Sequence, residues 1–257
     1  IKKITKAEPA LVDHHSAHAM SSIIMTDWED CAVMVIDTVG GKFSTSLGVY
    51  ENGKITWIKR FRYPNSLGLF YSTATRLLGF EPLRGESQVM AAAGYGNPKW
   101  SQFIKDKFIN LEEGNYTLLH DFARGVGYGV LDWDIAASVQ SVFTDIVVNL
   151  GNWLHKETGK VNLAYSGGCA LNCVTNSALI KLTDFKDISI QPASGDAGAS
   201  LGAAALIERP LWENAFLGYD DYDFIPADEA ADKIIKGDII PIIHGRAEFG
   251  PRALGNR

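Results

Sequence analysis

Two segments in the second half of the chain follow one plan. Residues 161–182, "VNLAYSGGCALNCVTNSALIKL", read as a strand, a Gly-Gly turn and a helix. Residues 188–208, "ISIQPASGDAGASLGAAALIE", repeat the plan with Gly195-Asp196 at the turn. Two successive strand–glycine turn–helix units dictate an α/β architecture. Upstream, "CAVMVIDTVGG" (31–41) is a β-rich apolar run ending in Asp37 and glycines, the pattern of a buried strand entering a tight turn. Residues 44–61 alternate on both sides of Asn52-Gly53, a strong hairpin signal. Together 31–61 are expected to form a three-stranded antiparallel meander.

Helical spacing marks 66–80, which stops at Gly79, and a short helix lies between glycines in 85–98. The best helix is 134–159, with Asp134 as its cap and a stripe of Ile135, Val139, Val142, Ile146, Leu150 and Trp153. Its His155 is expected at the surface. The acidic stretch 218–237 reads as a solvated loop and a short helix, and 239–257 as a strand running into a loop of glycines and arginines.

With 257 residues, 46% of them apolar, the chain can bury a sizeable core as one large domain or two closely joined halves. A formal charge of −6 with dispersed Lys and Arg argues against a nucleic-acid binder. No apolar run reaches the roughly 18 residues of a membrane span, and "IKKITKAEPA" at the start lacks the apolar core of a signal peptide. Cys31, Cys169 and Cys173 are odd in number and read as reduced thiols of a cytoplasmic protein. A first residue of Ile and a last stretch of "GPRALGNR" suggest a piece of a longer polypeptide.

Half of the six histidines, His14, His15 and His18, crowd into "VDHHSAHA" (12–19). On a helix starting near His14, His14 and His18 lie on one face a turn apart, an arrangement that can hold a divalent metal. A hydrogen-bonded polar cluster is the other reading. No glutamate lies between the two, so the pattern is not that of a zinc protease. Asp37, at a strand end, and Asp196, in a glycine turn, are candidates for a third ligand. Each could instead form a turn or cap a helix. Gly167-Gly168, with a helix start behind them, could let backbone approach a phosphate or an adenosine.

"VDHHSAHA", "VIDTVGG", "GESQVMAAAGYG", "SGGCALNCVTNS", "GDAGASLGAAA" and "GRAEFGPRALGNR" occur in this order. The set closely resembles the O-carbamoyltransferase family that modifies nodulation factors and antibiotics of the tobramycin and cephamycin type. The resemblance spans essentially the whole chain. It implies an actin/Hsp70-like (ASKHA) fold of two RNase-H-like halves, here a Kae1-like domain, with residues 1–215 as the metal- and adenylate-binding core. Residues 216–257 would end that domain and lead towards a YrdC-like domain beyond Arg257. Family members also begin with a phosphate loop that this stretch lacks, so the chain resembles a central segment.

The resemblance further implies that carbamoyl phosphate and ATP yield carbamoyl-adenylate in the YrdC-like domain. The Kae1-like domain then passes the carbamoyl group to a hydroxyl of a small-molecule acceptor. Carried over, His14, His18 and Asp196 match the metal ligands, a set that suits Fe(II) ahead of Zn(II). Asp37 matches the aspartate at the metal and phosphate side, and Gly167, Gly168 and Asn172 match the adenosine motif. Arg252 lies in the junction motif, and His15 is a candidate base or hydrogen-bond donor beside the metal. The chain departs from the family pattern at Thr38, Gly41 and Gln88, where a glycine, an acid and a lysine are usual. The other readings are an ATP-binding regulatory or kinase-like domain of the same superfold, or a catalytically silent binding module.

Overall fold

The computed structural model describes residues 9–119, 127–219 and 225–256. At its centre is a five-stranded mixed sheet in the order β3-β2-β1-β6-β7. Strands β1 (Asp30–Gly40), β2 (Phe43–Glu51) and β3 (Lys54–Arg62) are the expected antiparallel meander. Strands β6 (Asn162–Ser166) and β7 (Asp187–Ile190) join β1 in parallel, with Val33 beside Ala164 and Leu163 beside Ile188. The ends of three parallel strands therefore open on the same edge, where α/β sheets bind ligands.

Strand β1 is buried on both faces, which accounts for its unbroken apolar run. Ala32, Met34 and Ile36 face one layer, made by α2 (Leu67–Leu77) and the long helix α5 (Trp133–Thr158). Cys31, Val33 and Val35 face the other, made by α1 (His14–Ile23) and α7 (Asp196–Ala205). Around these lie α3 (Glu86–Ala93), α4 (Ser101–Phe108), a hairpin of β4 (Ile109–Glu112) and β5 (Asn115–Leu118), α6 (Cys173–Leu182) and α8 (Ala227–Ile235).

Helices α1 and α7 meet at backbone distance. A Cβ on Gly202 would lie 1.8 Å from the carbonyl oxygen of Ala17. Only helices as rich in small residues as "HHSAHAMSSI" and "DAGASLGAAA" can approach so closely. That approach sets Asp196, at the first turn of α7, against the histidine face of α1.

Several expectations need correction. Helix α5 starts a residue early, so its cap is Asp132, which accepts from the backbone of Asp134 and Ile135. Asp134 instead accepts from Asn97 N–H and pairs with Lys99. In the stripe, Ile135 and Trp153 are only half-buried. His155 is half-buried rather than at the surface, edge-on to Phe185 and bonded to the Lys160 carbonyl. Residues 239–243 form no strand, because no neighbouring strand pairs with them and Ile239 and Ile242 stay exposed. That region is held by an isolated bridge of Phe216 with Glu248 and by further hydrogen bonds such as Gly218 N–H to the Ala247 carbonyl. Of the acidic stretch, 220–224 lie outside the described residues, and α8 follows. The described residues build one five-stranded sheet and the separate β4–β5 hairpin, an α/β architecture as expected.

Candidate metal centre and cleft

Asp13 starts the site by capping α1, its carboxylate accepting from Ser16 N–H at 2.9 Å. The helix then aims His14 and His18 at one point, with their Nε2 atoms 3.0 Å apart. Asp37, at the end of β1, brings Oδ2 to 3.2 Å from His14 Nε2. Asp196 brings Oδ1 to 3.2 Å from His18 Nε2 and 3.5 Å from His14 Nε2. The four donor atoms lie within 4.8 Å of one another.

The donor set fits a divalent cation. Ligand atoms about 2.0–2.1 Å from a metal stand about 2.9 Å apart at right angles and about 3.4 Å apart at tetrahedral angles. The closest pairs here fall at 3.0–3.5 Å. His18 donates its Nδ1 proton to the carbonyl oxygen of Ser194 at 3.1 Å, which leaves the Nε2 lone pair for the centre. A proton on His14 Nε2 could serve only one of the three acceptors around it; a cation serves all of them. His18 is wholly buried and Asp196 is 80% exposed, so the site is walled on one side and open on the other.

The charges agree. Burial acts to raise the Asp37 carboxyl, but its close contacts with the His14 and His18 rings outweigh that and hold the group well below the usual carboxylate range. The His14 ring is raised, first by its hydrogen bond to Asp37. His15 behaves differently. Burial lowers it to about 4, its Nδ1 lies 2.6 Å from Ser46 Oγ, and the ring is wholly buried. Its Nε2 has no hydrogen-bond partner and packs where a Cβ on Gly40 would stand.

Asp37 and Asp196 open into a cleft of about 600 Å³, the size of a small-molecule site. Gly168, Leu171, Asn172, Arg252, Leu83 and Glu86 also line it. Gly167 adopts φ 93°, and a Cβ there would strike the Ile36 carbonyl at 2.2 Å, so the turn lies directly on β1. Gly168 sits 3.1 Å, measured from an added Cβ, from Asp37 Oδ1. Asn172 caps α6 by accepting from Thr175 N–H and exchanges amide bonds with Gln140. Arg252 donates to the Leu171 carbonyl at 2.9 Å, while its buried Nε has no partner among the described residues. The carried-over residues thus gather at one place, except His15, which lies behind it. Ser194, Ser46, Arg60 and Gly40 were not singled out from the sequence. Ser194 stands two residues before Asp196, but nothing in "PASGD" marks its carbonyl as an acceptor.

Residues 1–205 match the family model described as Carbamoyltransferase N-terminus. The chain belongs to the carbamoyltransferase family. It is 33% identical to nodulation protein NolO of Bradyrhizobium diazoefficiens, over 96% of this chain and 52% of that protein. It is 31% identical to 3'-hydroxymethylcephem-O-carbamoyltransferase of Streptomyces clavuligerus, over 37% of this chain and 22% of that enzyme. The chain spans about half the length of the curated relatives it matches most fully. Full-length HypF in its phosphate- and nucleotide-bound form superposes with a TM-score of 0.48 at 18% identity, over 82% of this chain and 38% of that one. That likeness is too loose to bear on the site. No described helix is long and apolar enough to cross a membrane.

Proposed function

We propose that the chain is the metal- and adenylate-binding part of an ATP-dependent O-carbamoyltransferase. The observation that carries the reading is the convergence of His14, His18, Asp37 and Asp196 at one end of the cleft that Gly168, Asn172 and Arg252 line. The sheet order β3-β2-β1-β6-β7, a meander continued by two parallel strands, supports an RNase-H-like half of an actin-like fold. Residues 1–215 would carry the core and 216–257 the approach to a YrdC-like domain.

In this reading His14, His18 and Asp196 hold the ion, with Asp37 beside them. The donor set suits Fe(II) ahead of Zn(II). When bound, the ion polarises the carbamoyl carbonyl and offsets phosphate charge as a Lewis acid. The turn at Gly167-Gly168 admits an adenosine close to backbone, and Asn172 holds that turn to α5 through Gln140. Arg252, which lines the cleft, supplies positive charge towards the adenylate phosphate. The acceptor oxygen bonds to the carbamoyl carbon, the bond from that carbon to the phosphate oxygen breaks, and AMP leaves with the electron pair. The acceptor proton passes to solvent at the open side of the centre. His15, neutral and sealed from the cleft, serves the architecture of α1 rather than proton transfer.

The test uses the full-length protein with ATP, carbamoyl phosphate and a panel of sugar-containing and natural-product alcohols. Mass spectrometry should show one hydrogen of an acceptor replaced by a carbamoyl group, and Asp196→Ala should abolish it. Transfer that persists in Asp196→Ala, or ATP turnover without any carbamoylated product, would refute the reading.

A further inference from the structure

Metal-binding histidines usually have their second ring nitrogen held by an outer carboxylate or carbonyl. His18 follows that rule through Ser194. His14 does not: among the described residues its hydrogen-bond and ion-pair contacts are all to the centre itself, and its side chain is about a third exposed. Something else must keep this ring from swinging away.

The residues on either side of His14 are tied down instead. Asp13 accepts from Arg60 Nη2 at 3.1 and 3.2 Å through its two carboxylate oxygens. Arg60 Nε donates to Ser46 Oγ at 2.9 Å, and Ser46 Oγ meets His15 Nδ1 at 2.6 Å. Asp13, Arg60, Ser46 and His15 therefore close a ring of side chains that spans α1, β2 and β3, with the backbone of His14 inside it. Arg60 is itself immobilised, its guanidinium 3.8 Å from the centre of the Phe43 ring. Ser46 is wholly buried, so the Arg60–Ser46–His15 path is shielded from water.

We infer that Arg60 and Ser46 are positioning residues for the metal centre, holding His14 through its two neighbours in place of the outer hydrogen bond that its own ring lacks. Neither touches the centre. The inference rests on the proposed metal site and adds the means by which its most exposed histidine is fixed.

The experiment measures Co(II) affinity of the full-length protein by competition with a chromophoric chelator. The visible absorption of bound Co(II) and the melting of the metal-free protein are recorded alongside. Ser46→Ala and Arg60→Gln should each weaken Co(II) binding by about 10- to 100-fold, the usual effect of losing outer-shell support. The Co(II) spectrum should change as the ligand geometry loosens. Arg60→Lys keeps the charge but cannot bridge Asp13 and Ser46 with a planar fork, and should fall between wild type and Arg60→Gln. If the buried Ser46→Ala protein does not fold, the surface variant Asp13→Asn decides, because it keeps a capping oxygen and loses the ion pair. A folded variant with wild-type Co(II) affinity and spectrum overturns the inference, and so does a lower melting temperature with affinity unchanged. His18→Ala separates the two levels. If it binds Co(II) as wild type does, the metal site itself is refuted; if only the Arg60 and Ser46 variants do, the clamp alone is.

Discussion

Two neighbouring glycines, Gly40 and Gly41, should fail in opposite ways when replaced by alanine. A Cβ on Gly40 would stand 2.5 Å from Cδ2 of both His14 and His15, and 2.6 Å from His15 Nε2. Carbon atoms rest at about 3.5–4.0 Å, so the rings must retreat by about 1 Å. His15 cannot, because it is wholly buried and held by Ser46. His14 can, on its open side, and its Nε2 then leaves the centre. Metal sites tolerate displacements of about 0.2 Å. Overpacking of this kind costs about 1–3 kcal/mol. Spent wholly on the bound state, that is a loss of about 5- to 150-fold in affinity. At Gly41 an added Cβ meets nothing within 4 Å, but φ is 67°. Gly41→Ala should therefore cost about 1–2 kcal/mol of stability through the left-handed backbone and leave metal affinity alone. Competition titration with Zn(II) or Co(II), paired with denaturant melts, reads both quantities. A folded Gly40→Ala protein with wild-type affinity would show that the histidines are not held against this strand as described.

The other expectations follow from the same contacts. Gly202→Ala drives a Cβ into the Ala17 carbonyl and should part α7 from α1, lowering both the melting temperature and metal affinity; a melt indistinguishable from wild type would contradict the close helix contact. Asn172→Ala removes the α6 cap, for about 1 kcal/mol, and also strands the Gln140 amide, so a loss of stability below that figure in a urea titration would be a surprise. Saturating the site at about 100 times Kd should stabilise the protein by about 2.7 kcal/mol, a gain that a chelator reverses; an unchanged midpoint with and without chelator would deny a cation bound to the folded state.

The parts of this molecule that local pattern could reveal are those whose cause is local. Strand β1 reads as a strand because both of its faces are buried, and the Asn52-Gly53 turn imposes the hairpin wherever the chain is placed. The pairing of His14 with His18 follows from helix spacing alone. Their meeting with Asp37 and Asp196 does not, because it depends on how β1 and α7 end beside α1, and family resemblance supplied it. The Arg60–Ser46–His15 clamp joins positions 14 and 31 residues apart on two strands and a helix, and no spacing rule points to it. Residues 239–243 fail in the other direction. They have the apolar β-branched content of a strand, but strand pairing is tertiary, and no described neighbour offers an edge. The β4–β5 hairpin carries only a weak local signal, a glycine at Gly114 whose φ of 62° its turn requires.

The carbonyl oxygen of Ser194 accepts from His18 Nδ1 at 3.1 Å and from the backbone N–H of Gly167 at 3.0 Å. One atom thus belongs both to the support of a proposed metal ligand and to the turn that faces the cleft. A ligand that shifts Gly167 must draw on the same oxygen that orients the imidazole, and a cation that fixes the imidazole leaves the turn less freedom to move. The two occupants then share a free energy, which by linkage is symmetric: whatever factor the cation adds to nucleotide affinity, the nucleotide must add to cation affinity. Titrating each in the presence and absence of the other should return the same factor from both directions, and a factor of one would mean that the shared oxygen transmits nothing.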